Sequence, residues 1–200
     1  MNRRVYVGLF LALLSLLYVG VNRMQAVRAL ESPRAIRGIF EQPTDTGIAS
    51  TPEYFLKIDG IPGESTDDKH KGEIDILSFS WGETQPASIG GKVSMQDFHF
   101  VMKYNKASPK LFLGCASGRH FPKAILTLRK AGGGQEYLNW KLTDVVCSAY
   151  QTAGTNPNVP TDMFDLSFSK IEVEYKAQKP DGTLEAPIND GWDKQANKSM

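Results

Sequence analysis

The chain reads as a mainly β protein: a closed or pseudo-barrel of two antiparallel sheets with one short α-helix, preceded by an N-terminal apolar helix. Three observations predict this. From Glu53 onward the apolar residues recur with period two, the spacing of a strand with one buried face. Turn-forming clusters punctuate those runs at Asp59-Gly60, Pro62-Gly63, Gly132-Gly133-Gly134 and Asp181-Gly182. Only one segment carries the start and stop signals of a helix.

The elements follow in order. Tyr54-Phe55-Leu56-Lys57-Ile58 is a first strand, and a polar loop runs over 64–71. The strand over 72–81 changes phase, from Ile74 and Ile76 to Leu77, Phe79 and Trp81. A one-residue slip of this kind predicts a β-bulge, which raises local twist and helps a sheet close. The strand over 92–104 places Phe98, Phe100 and Met102 on one side. Ser108 is the expected cap of the helix, Pro109 suits its first turn, Leu111, Phe112 and Cys115 form its apolar face, and Gly118 ends it. The strand over 122–130 sets Ala124, Leu126 and Leu128 against Ile125, Thr127 and Arg129. The triple glycine then turns into a strand over 136–149, where Leu138, Trp140 and Leu142 share a face. The last long strand, 163–175, shifts phase between Phe168 and Ile171, predicting a second bulge. Apolar residues occupy both faces of several strands, more than an isolated barrel needs, so a partner surface and assembly are expected.

The composition is that of a globular chain: 41% hydrophobic, 22% charged, net charge +1. Residues 1–50 hold six Arg against Glu31, Glu41 and Asp45, whereas the remainder holds 17 Lys+Arg against 19 Asp+Glu. A slightly acidic body excludes a dedicated nucleic-acid binder. The positive charge belongs to the targeting end. There Arg3 and Arg4 precede an uncharged run from Val5 to Val21, closed by Arg23 and Arg28. This predicts either an uncleaved signal anchor, which contacts the membrane through Val5 to Val21, or a signal peptide cleaved after Val27-Arg28-Ala29. The expected organisation is a signal anchor or signal peptide over 1–29, a linker over 30–52 and a barrel domain over 53–200.

Several stretches resemble the Hcp family, in the family's own order. They are Phe55-Leu56-Lys57-Ile58-Asp59-Gly60 with Asp67-Asp68-Lys69-His70, Leu77-Ser78-Phe79-Ser80-Trp81-Gly82, and Lys92-Val93-Ser94-Met95-Gln96-Asp97-Phe98-His99-Phe100. Ala107-Ser108-Pro109-Lys110-Leu111, Leu126-Thr127-Leu128-Arg129-Lys130 and Ala149-Tyr150-Gln151-Thr152 continue the series, and Gly191-Trp192 completes it. The resemblance implies a pseudo-barrel that forms homo-hexameric rings. Those rings stack into the tube of a bacterial type VI secretion system, with sheath, spike and effector proteins as partners and effectors carried in the lumen. It implies secretion through that system, no enzymatic activity and no cofactor. Two departures stand out. Tube-forming members normally lack an export segment, so inner-membrane anchoring or periplasmic export is the alternative to cytoplasmic assembly, which would hold if the start codon is misassigned. The 82–91 link is also shorter than the stacking loop of many relatives.

Candidate chemistry is sparse. Asp67, Asp68 and His70, near Glu64 and Glu73, have the residue types of a divalent-metal or acid/base cluster, but no second His stands at a ligating spacing. The loop is therefore expected to be solvated or to make polar contacts between subunits. His99 lies opposite Phe98 and Phe100 as a structural or interface histidine, and His120 is placed to favour the helix C-terminus. The glycines 132–134 lack the Lys-Ser/Thr of a phosphate loop. Cys115 and Cys147 read as two buried free thiols, or as one disulfide if the domain matures outside the cytoplasm. No catalytic, cofactor-binding or metal-binding residue is assigned. An effector hydrolase is disfavoured, because the tail after Gly191-Trp192 is too short to fold as a further domain.

Overall fold

The computed structural model describes residues 53–85, 92–130 and 134–200, all within the compact unit Ala49–Met200. The predicted N-terminal apolar helix, the linker over 30–52, part of the 82–91 link and Gly132-Gly133 lie outside the described residues. Among the described residues no helix is long and apolar enough to cross a membrane.

Eleven strands and one helix are described. β1 is Glu53–Ile58, β2 Ile74–Ile76, β3 Ser78–Ser80, β4 Glu83–Thr84, β5 Ser94–Met95 and β6 Phe98–Lys103. The helix α1 spans Ser108–Ser117. β7 is His120–Arg129, β8 Glu136–Ala153, β9 Thr161–Tyr175, β10 Ile188–Asp193 and β11 Lys198–Ser199. Every strand pairing is antiparallel. β4 and β5 form a separate two-stranded hairpin, and the other nine strands belong to one sheet. The two sheets expected from the sequence are thus a single large sheet and a small hairpin.

That sheet closes on itself. β1 pairs with β7, β7 with β8, β8 with β9, β9 with β6, and β6 with β3. One residue beyond β3, across Leu77, the same chain becomes β2 and pairs back to β1. The phase slip at 76–79 is therefore a change of partner. Ile76 faces the core opposite Tyr54, whereas Ser78 lies opposite Val101, and Leu77 between them points outward at 52% exposure. Its amide still donates to the Val101 carbonyl at 2.8 Å. The second slip has the same cause. β9 pairs with β6 up to Leu166 and with β10 from Lys170, and its buried positions switch phase between Phe168 and Ile171. Opposite that switch Asp144 takes a positive φ of 54° and accepts the Ser169 hydroxyl at 2.6 Å. True register shifts occur elsewhere, between Leu128 and Arg129 on β7 and between Cys147 and Ala149 on β8.

The core fills the closed sheet as the alternation predicts. Phe98, Phe100, Phe164, Leu126, Leu166 and Ile74 are fully buried, and each such side chain contributes about 2–3 kcal/mol of transfer free energy. Aromatic rings stack from Phe164 through Phe100 (5.3 Å) to Phe98 (5.6 Å) and on to Trp81 (5.5 Å).

The helix closes one side of this core, with two corrections to its predicted detail. Ala107, not Ser108, is the cap position, and no side chain caps it. Ser108 is buried, and its hydroxyl accepts the Asn105 N–H at 3.0 Å, while the Asn105 side-chain Oδ1 accepts the Ala107 N–H at 2.8 Å. The polar turn thus lies one step before the helix and leaves Pro109 in its first turn. The buried stripe is Ser108, Leu111 and Gly114; Phe112 and Leu113 are exposed. Gly118, with φ 63°, ends the helix in the left-handed conformation expected of it.

Gly114 sits where helix and barrel touch, and a Cβ there would stand 2.8 Å from Cζ of the buried Phe121. Gly→Ala in a helix normally gains about 1 kcal/mol, but forcing Phe121 aside in a packed core costs about 1–3 kcal/mol. The clash wins: Gly114→Ala should lower stability, as read from its denaturant midpoint, despite its better helix propensity.

Candidate functional site

The loop that supplied the candidate metal cluster is held shut by its own backbone. Gly63 N–H donates to the Gly72 carbonyl, Ser65 N–H to that of Glu73 and Gly72 N–H to that of Ser65, at 2.7–3.0 Å. Gly63 permits this approach, because a Cβ would stand 2.0 Å from the Glu73 carbonyl oxygen.

Three acidic residues of the loop, Glu64, Asp67 and Glu73, are each committed to a different partner. Glu64 accepts the Lys106 N–H at 3.0 Å, tying the loop to the chain entering α1. Asp67 accepts from the backbone of Lys69 (2.9 Å) and His70 (3.1 Å) and takes two donors from Arg129, Nη1 at 3.0 Å and Nη2 in a short contact. Asp68 is exposed. His70 is buried, pairs through Nδ1 with Glu73 at 2.9 Å and stacks on Phe55 at 4.1 Å. Among the described residues no three His, Cys, Asp or Glu side chains converge on a point that could hold a metal ion.

The residue that organises the loop is Arg129, which alternation sets on the face of β7 opposite Ala124, Leu126 and Leu128. It is 3% exposed, donates Nε to Glu53 at 2.7 Å, and lies 5.0 Å from the Phe55 ring. A buried guanidinium needs such bidentate partners, since breaking the pair would strand a charge out of water. Arg129, Phe55, His70 and Asp67 form a small satellite core outside the barrel wall. A charged residue in a strand where both faces are apolar was the available signal for it. A second omission is Asp162, which shares strand parity with Phe164 and Leu166. It is fully buried and accepts the Thr152 hydroxyl at 2.7 Å.

The remaining histidines are structural in geometry. His99 is on the face of β6 opposite Phe98 and Phe100, as expected, and its Nδ1 is 2.6 Å from Asp165. His120 begins β7 and pairs with Asp144 at 2.7 Å, so its partner is a carboxylate on β8 and not the helix terminus. β7 and β8 form the antiparallel pair expected on either side of the triple glycine. Both cysteines are free; Cys147 is buried and Cys115 half-buried.

What the surface offers is a groove. A cavity of about 530 Å³ lies between the β4–β5 hairpin and the β8–β9–β10 part of the sheet. Trp81, Trp140 and Trp192 line it with Met95 and Val173, and Glu83 and Asp190 supply acidic groups. Trp81 and Trp140 meet at 5.3 Å. The indole N–H groups of Trp81 and Trp192 are buried without an acceptor among the described residues. Elsewhere Leu77, Phe112, Leu113 and Ile188 stand more than half exposed. Aromatic clefts and exposed apolar side chains are what protein interfaces use.

A closed barrel with surfaces for contact and its polar loop spent on structure has the features of a structural subunit. The comparisons agree. The family model described as type VI secretion system effector, Hcp, matches residues 55–175. Protein hcp1 of Pseudomonas aeruginosa is 38% identical over 156 residues, covering 72% of this chain and 96% of that protein. The crystal structure of Hcp1 from Salmonella typhimurium matches with a TM-score of 0.63 at 39% identity, over 74% of this chain and 99% of that one. Another solved structure, of a type six secretion system protein, matches with a TM-score of 0.71 at 29% identity, over 75% and 100%. The chain belongs to the Hcp family, the secreted tube subunits of the type VI secretion system, a structural and not an enzymatic family.

The Asp67 carboxyl is held down from an ordinary 3.8 to about 2, chiefly by its hydrogen bonds from Arg129, with the Lys69 and His70 amides adding to this and burial opposing it. A depressed folded value means the stabilisation is complete above 3.8 and is lost as pH falls through about 2. Asp67→Asn should therefore melt at lower temperature than the parent above that window. The gap should narrow as the pH falls through it, as followed by thermal melts across the acid range.

Proposed function

We propose that the barrel assembles into homo-hexameric rings that stack into the type VI tube and carry effector proteins in the lumen, with sheath and spike proteins as its other partners. The observation that carries this reading is the apolar surface left over once the barrel is closed. The Trp81–Trp140–Trp192 groove packs on the core from one side and stays open on the other, and Leu77 and Ile188 stand more than half exposed. A second copy of the chain covers them at a cost lower than water does. A ring requires two different complementary patches on each subunit, and the groove and the exposed apolar side chains supply candidates for both. The relatives' close match over nearly their whole length supports the same assembly.

A second reading is favoured by the run from Val5 to Val21, an anchor or cleaved signal at the head of a chain divided into 1–29, 30–52 and 53–200. Under it the barrel is a membrane-tethered or exported binding module that has left the tube.

Size-exclusion chromatography with light scattering on the unit Ala49–Met200 should give the mass of six subunits at micromolar concentration. A monomer would overturn the ring reading. Cell fractionation of the full chain separates the second reading from the first: partition into membrane or periplasm, unaltered by deletion of the sheath, is what a tethered module requires.

A further inference from the structure

We propose that Cys115 and Cys147 are a reversible thiol–disulfide pair, a modification site that staples helix α1 to strand β8. The two cysteines come from elements that pack face to face. Cys115 is one helical turn after Leu111, which is fully buried, so both lie on the stripe that faces the barrel. Cys147 follows Val145 by two residues on the inward face of β8, and both are buried. Cys115 packs against the core that buries Cys147, so helix stripe and strand face turn the two thiols toward each other across the α1–β8 contact. The Cys147 thiol also donates to the Ala149 carbonyl at 3.3 Å, across the register shift between Cys147 and Ala149. That irregularity places the cysteine where the ladder is already locally adjustable, so the small movement that joins two sulfurs falls on a bulge and not on a regular strand.

The pair is asymmetric. Cys147 is 2% exposed, and burial together with the neighbouring Cys115 pushes its thiol up to about 12. Cys115 is half-buried, the more exposed of the two cysteines, and is therefore the one proposed to react first. With a disulfide as oxidant (an oxidised low-molecular-weight thiol or a protein oxidoreductase), the Cys115 thiolate attacks one oxidant sulfur. The oxidant S–S bond breaks, and one oxidant thiolate leaves and takes up a proton. Cys147 then loses its proton and attacks the Cys115 sulfur, breaking the mixed disulfide and releasing the second oxidant thiol. In total the two cysteines give up two electrons and two protons, and the oxidant disulfide becomes two thiols. The bond closes the loop containing the end of α1, β7 and the start of β8, so the oxidised barrel has less unfolded-state freedom than the reduced one. The reduced pair suits a cytoplasm and the oxidised pair an extracellular or periplasmic setting.

The test uses the full chain in detergent, purified reduced and then incubated folded with oxidised glutathione. Intact mass should fall by two hydrogen atoms, and peptide mapping without reductant should find the Cys115 and Cys147 peptides joined. The melting temperature should rise by several degrees, and dithiothreitol should reverse all three changes. Cys147→Ser should instead accumulate a glutathione adduct on Cys115, and Cys115→Ser should remain unmodified. A stable glutathione adduct on Cys115 in the unsubstituted chain would overturn the proposal. So would a disulfide between two chains, or two free thiols persisting after treatment with diamide.

Discussion

The fold depends on one constraint: a single stretch of chain must serve two ladders to close the sheet. β2 completes the pairing of β1 and β3 completes that of β6, with only Leu77 between them. An open antiparallel sheet of this length would expose two edges of unpaired backbone and leave one face of the core uncovered. Closure removes both problems at once, and it requires the inward side chains to change parity at the junction. Ile74 and Ile76 point in, Leu77 points out, and Phe79 and Trp81 then share the opposite parity. The long strand β9 solves the mirror-image problem by passing from β6 to β10 across Phe168 and Ile171.

Closure also decides where contact surfaces can be. Among the described residues the barrel circuit runs from β1 through β7, β8, β9 and β6 to the β2–β3 stretch, so a partner approaches mainly through side chains or through the parts that extend beyond it. Those parts are the β4–β5 hairpin and the β10–β11 extension, and the aromatic groove lies between them. The 64–73 loop, with the residue types of a reactive site, is instead part of the wall. Its carboxylates neutralise a buried Arg129, anchor the helix approach at Lys106 and order their own turn. A tube subunit needs a rigid wall and adhesive faces, and that is how this chain distributes its polar and apolar groups.

Much of this was legible in the residues, because burial in strands imposes period two. The core positions Phe98, Phe100, Met102, Ala124, Leu126 and Leu128 follow from alternation alone, and Gly118 from the left-handed helix end. Both phase slips were visible too. Their meaning was not: a bulge and a change of partner leave the same mark on the pattern, and only the pairing distinguishes them. The burial of Arg129 was not legible, because alternation assigns a face without saying what covers it; Asp67 of the 64–73 loop reaches Arg129 and encloses it on the far side of β7 from Leu126 and Leu128. Phe112 was expected on the apolar helix face with Leu111 and Cys115, yet the buried face is Ser108, Leu111 and Gly114, where Gly114 lets α1 approach Phe121. The aromatic groove draws on Trp81 just after β3 and on β4, β5, β8, β9 and β10, and nothing in local spacing brings those residues together.

Native-state hydrogen exchange on the folded protein tests closure most directly. If the 74–80 stretch is the seam on which the barrel depends, the Leu77 amide, bonded to the Val101 carbonyl, should exchange with the same free energy as the amides of β7 and β9. All would then open only in global unfolding. Exchange of β2 and β3 at a clearly lower free energy, with β7, β8 and β9 still protected, would contradict the account. It would mean that the sheet stands open and the seam is a flap laid over it.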